Sequence, residues 1–180
     1  MHKVIKITLF TLFGIPVLLL LVLLCFGIYL YCTADFLQPD VSVQLDECEL
    51  VIENDSARRC TNGHLILNKH GHWEACLYGD AVERGSAYGL LSKDLLKYQE
   101  DVFVEQIHEI IPSEWWVEFL HKVIIVFNRN MATHISMELR EEIYAMSLSC
   151  TDEYNAYGSP YLRQLNYHAA HDTQRSSRDH

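Results

Sequence analysis

Cys150-Thr151 is the pair with the most suggestive chemistry in this chain, because a thiolate can attack a carbonyl once a positive neighbour lowers its pKa. Its surroundings work against that. Cys150 falls at the negative, C-terminal end of an expected helix and is followed by Asp152 and Glu153, all of which raise a thiol pKa. Cys150 is retained as the candidate nucleophile, with a packed or disulfide-bonded cysteine as the better-supported reading. His168 and His171 stand three apart on one helical face, with Asp172 next, as two metal ligands or a base with its orienter. Two ligands do not make a site, and spacing fixes no third. His70, His72 and Cys76 form a second loose group on a hairpin, and the same argument applies. No metal and no cofactor is expected. The carboxylate pairs Glu49/Glu53, Glu105/Glu109 and Glu138/Glu142 read as solvated faces.

A glycine-punctuated turn organises the rest: Gly79-Asp80-Ala81-Val82-Glu83-Arg84-Gly85-Ser86-Ala87-Tyr88-Gly89. Gly85 and Gly89 have the small-xxx-small spacing that lets two backbones approach, and the expectation is a helix start packed on a hairpin. It is not a phosphate loop. No Lys-Ser or Lys-Thr follows in register, and Asp80 and Glu83 oppose an anion.

The elements around this turn follow from periodicity. Leu65–Asn68 and Trp73–Tyr78, parted by Lys69-His70-Gly71-His72, predict a β-hairpin. Ala87, Leu91, Leu95, Tyr98 and Val102, joined by Phe103, Ile107 and Ile110, predict one long helix with a core-facing stripe, ending at Ile111 before Pro112. Ser113 is the expected N-cap of a second helix, whose face is Trp116, Leu120, Val123, Phe127 and Met131, with Glu118 and Lys122 paired on the wet side. Ser136 caps a third, through Leu139, Ile143, Met146 and Cys150. Residues 152–161 read as an aromatic loop, with a short helical piece over Leu162–His171.

Ile7 to Tyr31 is a run of 25 residues without a charge, about 37 Å long as a helix and enough to cross a bilayer with tilt. Lys3 and Lys6 precede it and Asp35 and Asp40 follow, so the N-terminus is expected in the cytoplasm and the main domain across the membrane. The competing reading is a cleaved signal peptide ending near Cys32-Thr33-Ala34. All 24 acidic residues lie beyond the run against 12 of the 14 basic ones, a field that repels nucleic acid. Cys48, Cys60, Cys76 and Cys150 would meet an oxidising compartment; they allow three pairings, and free buried thiols are an equal alternative.

The turn Gly79 to Gly89, with Tyr98-Gln99-Glu100, Phe127-Asn128-Arg129-Asn130 and Leu165-Asn166-Tyr167-His168-Ala169-Ala170-His171-Asp172, resembles the amino-terminal part of the penicillin acyltransferase-like family, the acyl-CoA:6-aminopenicillanic acid acyltransferases. The resemblance implies an αββα N-terminal-nucleophile fold that cuts itself before a cysteine, and a substrate class of acyl-CoA thioesters or amides. It alone also implies a bacterial cell, in which the compartment across the membrane is the periplasm. Its turn residues Gly79, Asp80, Glu83, Arg84, Gly85 and Gly89 are taken as structural. The chain departs from the pattern where the nucleophile belongs: Cys150 follows Ser149 rather than glycine, with only thirty residues after it, and Cys60-Thr61 precedes the resembling region.

The expected fold is therefore mainly α with a small β-hairpin behind one N-terminal transmembrane helix, similar to the helical N-terminal part of that αββα fold. Its divisions are an anchor over 1–32, a polar spacer over 33–63 with room for one short strand and the apolar run Leu50-Val51-Ile52, the hairpin and helical region over 64–172, and a disordered tail over 173–180. Two functions are expected from it. One is a truncated, anchored acyltransferase-like portion, inactive unless its catalytic region is supplied. The other is a non-catalytic, membrane-tethered interaction domain, whose uncovered apolar surface would also permit self-association.

Overall fold

The computed structural model describes residues 10–34, 38–43 and 50–176. A π-helical turn at Phe10–Gly14 leads into α1, Ile15–Cys32, and Leu12–Cys32 is long and apolar enough to cross a membrane, with none of its residues buried. Lys3, Lys6, Asp35, Cys48 and Glu49 lie outside the described residues.

Four antiparallel strands follow in sequential order: β1 Val51–Asn54, β2 Ala57–Cys60, β3 Gly63–Leu67 and β4 Trp73–Leu77. The expected hairpin is present as β3 and β4, registered Gly63↔Leu77 to Leu67↔Trp73. Its turn is held by Asn68, whose Oδ1 accepts from His70 N at 2.9 Å and His72 N at 3.0 Å. The last third of the 33–63 spacer carries two strands, β1 and β2, that extend the sheet. The apolar run Leu50-Val51-Ile52 overlaps β1, whereas β2 escapes an alternation test because Arg58 and Arg59 occupy it.

The helices are α2 Ala81–Leu91, α3 Lys93–Ile110, α4 Glu114–Phe127, α5 Met137–Ser147 and α6 Pro160–Ser176. The single long helix expected through Ile110 is thus two. Ser92 leaves helical geometry at φ −110°, ψ 15°, and its hydroxyl donates back to the Tyr88 carbonyl at 2.5 Å, a side-chain bond that competes with the helical ladder. The break shifts the phase of α3. Leu96 and Glu100 turn inward, while Tyr98 and Ile110, assigned to the core stripe, are 68% and 79% exposed. Arg58 reaches across from β2 to this joint, donating to the Leu91 carbonyl at 2.8 Å and pairing with Asp94.

Pro112 and Ser113 separate α3 from α4 as expected, although the Ser113 side chain makes no capping bond. Ser136 does cap, accepting from Leu139 N at 3.3 Å. The proposed face of α4 is corrected: Val117 is its buried residue, Trp116 and Phe127 are exposed, and Met131 sits on a 3-10 turn at Met131–His134. The short helix expected at Leu162–His171 is longer, and runs through residues 173–176 of the segment read as a disordered tail. Residues 177–180 lie outside the described residues.

Two cores result. Cys60, Leu65, Ala87 and Leu91 close the sheet against α2. Leu96, Ile143, Met146, Tyr161 and Leu165 join α3, α5 and α6. Between them α2 packs most extensively on α5. The small-residue spacing serves this helix pair and not the hairpin: a Cβ on Gly85 would lie 2.2 Å from the Glu142 carbonyl oxygen, and one on Gly89 2.7 Å from that of Met146.

Because both obstacles are backbone, Gly85→Ala is expected to cost about 1–3 kcal/mol by overpacking. Urea unfolding of the full chain in micelles measures this, and an unchanged midpoint would refute the close approach.

Candidate functional site

The residues of the Gly79 turn are all engaged in structure. Gly79 has φ +100°, a conformation that glycine adopts without strain. Asp80 and Glu83 form a capping box on α2, with Glu83 N donating to Asp80 Oδ1 at 2.9 Å and Asp80 N donating to Glu83 Oε2 at 2.8 Å. Arg84 bonds the Gly79 carbonyl at 3.0 Å and pairs with Glu142 at 2.8 Å and Glu138 at 3.0 Å. The Glu138/Glu142 pair is therefore an arginine clasp between α5 and α2, a correction to its reading as a solvated face.

Cys150 is half-buried behind α5, where Gln164 Nε2 donates to its Sγ at 3.4 Å. Burial, then the Glu100 carboxylate, push its thiol up to about 11. The direction is the expected one, with a different cause from Asp152 and Glu153. Cys25, Cys32, Cys76 and Cys150 are free thiols. His70, His72 and His168 are exposed, Cys76 Sγ donates to the Tyr78 hydroxyl at 3.3 Å, and the His171 side chain lies outside the described residues. Among the described residues no group of three or more His, Cys, Asp or Glu side chains is placed to hold a metal.

The arrangement with the strongest features of a binding site lies elsewhere, between α3, α4 and the start of α6. An open cavity of about 570 Å³ is walled by Phe103, Val104, Ile107, Leu120 and Ile124, a size within the usual range of small-molecule sites. The polar side chains of its lining include Glu100, Arg163, His121, Asn128 and Asn166, with the tyrosines Tyr154, Tyr157 and Tyr167. Glu100 and Arg163 are a buried ion pair, Nε to Oε1 at 2.8 Å, with side chains 1% and 4% exposed. Arg163 spends three more N–H groups on the Gly158 carbonyl at 2.7 Å, the Thr151 carbonyl at 2.6 Å and Asn155 Oδ1 at 3.2 Å. Asn128 Nδ2 donates to Asn166 Oδ1 at 2.9 Å. The Tyr154 hydroxyl donates to Asp101, and the Tyr157 hydroxyl bonds the His108 ring at 2.7 Å. Two buried atoms of the lining residues are left without a partner, Glu100 Oε2 and His121 Nε2. Burial, then Lys122, lower the His121 pKa, so its ring is neutral at pH 7.

Neither His121 nor Arg163 stands out by motif or spacing, and Glu100 enters only as the end of the segment Tyr98-Gln99-Glu100, with no role assigned to it. The available signal was phase: Glu100 follows Leu96 by four and precedes Phe103 by three, and Arg163 lies between Leu162 and Leu165.

Two outcomes check this geometry. Alkylation of Cys150 by iodoacetamide is expected to accelerate tenfold per pH unit until about pH 11, whereas an ordinary thiol levels off at about 8.5; a plateau near that ordinary value would refute the raised pKa, and one well below it would mean an activated thiolate. Arg163→Met leaves Glu100 buried without its cation and is expected to cost about 3–5 kcal/mol, most of it recovered in the Glu100→Met/Arg163→Met double variant. Urea midpoints decide it, and a loss under about 1 kcal/mol would show the pair to be dispensable. Comparison with protein-family models, curated proteins and solved structures finds no match for this chain.

Proposed function

We propose that the chain is a membrane-tethered helical module that works by binding and not by catalysis, anchored through residues 7–31 with its outer α4 face in the bilayer interface. The supporting observation is that its two most apolar surfaces are contiguous. The unburied helix α1 packs against α4, whose Trp115, Phe119 and Phe127 remain exposed, at 63%, 44% and 79%. Trp115, Trp116 and Phe119 contact one another ring to ring, and Tyr29 and Tyr31 are exposed near the end of α1. Aromatic rings of this kind favour the headgroup level of a membrane, where each large side chain fully removed from water contributes about 1.5–3 kcal/mol. The N-terminus is placed in the cytoplasm and the domain across the membrane, on the lysines before the run and the acids after it.

Acyl transfer or amide hydrolysis, implied by the acyltransferase resemblance, belongs in this proposal to a region other than residues 64–172. The half-buried Cys150, with its raised pKa, supports that assignment.

The test is the full chain in phosphatidylcholine vesicles. It is expected to resist extraction at alkaline pH, and its tryptophan fluorescence to be quenched by brominated lipid chains. The Trp115→Ser/Trp116→Ser double variant should lose most of the quenching, leaving Trp73, while remaining in the membrane through α1. Release at alkaline pH sinks the tether, and unquenched fluorescence sinks the interfacial α4. Thioester or amide turnover abolished by Cys150→Ala would establish catalysis instead.

A further inference from the structure

The two edges of the sheet are not alike. On β1 the register shifts between Ile52 and Asn54, an irregularity that discourages a further strand. β4, at the other edge, pairs regularly with β3 and carries no proline, glycine or lysine over Trp73–Leu77. Its open side follows from the bonds that bracket it. Asn68 N donates to the His72 carbonyl at 2.8 Å and Tyr78 N to the Asn62 carbonyl at 2.8 Å, so by alternation Glu74 and Cys76 turn their backbone groups to β3. The N–H and C=O groups of Trp73, Ala75 and Leu77 point the other way, and among the described residues nothing bonds them there.

These three side chains lie on the core face of the sheet. Trp73 and Leu77 pack against its core, yet Ala75 between them is exposed. It borders an open groove of about 340 Å³ that Ala75 and Leu77 share with Leu139, Ile143 and Met146 of α5. A strand laid on β4 would place the side chains opposite Trp73, Ala75 and Leu77 on that same face, toward the apolar residues of α5, and the alternate ones beside Glu74. Charge narrows the choice of strand. Glu142 lines the groove, and with Glu138, 71% exposed, it shares the one guanidinium of Arg84, which leaves a negative charge in excess. Glu74 adds a second, bonded only to the neutral Asn68 amide at 2.6 Å. A second copy of the chain matches this poorly: its edge strands, Val51–Asn54 and Trp73–Leu77, each carry a glutamate and neither lysine nor arginine.

We propose that the groove between β4 and α5 takes an extended segment of a partner protein, added antiparallel to β4, with apolar side chains turned to α5 and basic ones between them. The proposal names the partner of the binding module and rests on that reading, without requiring α4 in the bilayer.

The experiment titrates the full chain in phosphatidylcholine nanodiscs with fluorescent acetyl-Lys-Val-Lys-Val-Lys-Val-Lys-amide, followed by anisotropy and by amide hydrogen exchange. The peptide is expected to bind at least about tenfold more tightly than its Glu/Val counterpart, and to slow exchange at Ala75 and Leu77. Methylating the valine amide nitrogens, which face β4, should weaken binding about tenfold or more, whereas methylating the lysine amide nitrogens should leave it within about twofold. Ala75→Pro removes an outward N–H and no bond to β3, so it should lose binding while the β3 amides stay protected. No binding, binding indifferent to which nitrogens are methylated, equal binding of the Glu/Val peptide, or protection on α4 instead of β4 would each overturn the groove. A concentration-dependent dimer of the parent that Ala75→Pro dissociates would overturn the partner segment in favour of a second copy. None of these outcomes touches the tether, which extraction and quenching decide alone.

Discussion

Withdrawing Glu100 and Arg163 from water to 1% and 4% side-chain exposure costs several kcal/mol for each charge, and their mutual attraction offsets this only in good geometry with the remaining donors satisfied. Arg163 meets that condition by reaching beyond its partner. Its other N–H groups close on the Thr151 and Gly158 carbonyls and on Asn155, so one side chain holds α3, the loop after α5 and the start of α6 in register. That loop carries Tyr154 and Tyr157, which line the cavity. The cavity is thus the space left when an apolar helix face and an aromatic loop are held by a charge pair, instead of collapsing onto one another.

The upper half of the domain is joined differently, by close backbone approach and by arginines at its ends. Gly85 and Gly89 bring α2 so near α5 that a methyl group at either would strike a carbonyl oxygen. Arg84 fastens one end of that seam to Glu138 and Glu142, and Arg58 closes the other by taking the Leu91 carbonyl that the break at Ser92 exposes. Burial of Leu65, Ala87 and Leu91 then fixes the sheet on α2. The motif from Gly79 to Gly89 is accounted for by capping, packing and clasping.

What was legible in the chain is what local chemistry specifies. The Asn68 turn, the stop before Pro112, the Ser136 cap and the Glu118–Lys122 pair each depend on residues within a few positions of one another, and each is present. The break at Ser92 was not legible, because one serine hydroxyl bonding four residues back looks like any other mid-helix serine. Once the helix is broken there, a periodicity counted from Ala87 loses its phase, so Tyr98 and Ile110 fall outside the core and Glu100 falls inside it. The site was missed for a related reason. Its ion pair spans 63 positions and its cavity gathers residues from three helices and a loop, a geometry that no spacing rule encodes.

On the tethered reading, charge explains why α4 would meet the membrane with aromatic rings instead of basic side chains. The chain carries a formal net charge of −10, so its field repels anionic headgroups, and Lys122 is already neutralised by Glu118 at 2.7 Å. A basic patch strong enough to overcome that field would need several lysines on α4, which has one. Burial of Trp and Phe rings contributes interfacial free energy that neither the net charge nor salt opposes. Such a helix can also turn its inner face to a cavity, since both of its surfaces are apolar and only Val117 is committed to the core. On that reading the free-energy gain at the interface and the apolar cavity wall contributed by α4 would come from the same fourteen residues, Glu114–Phe127.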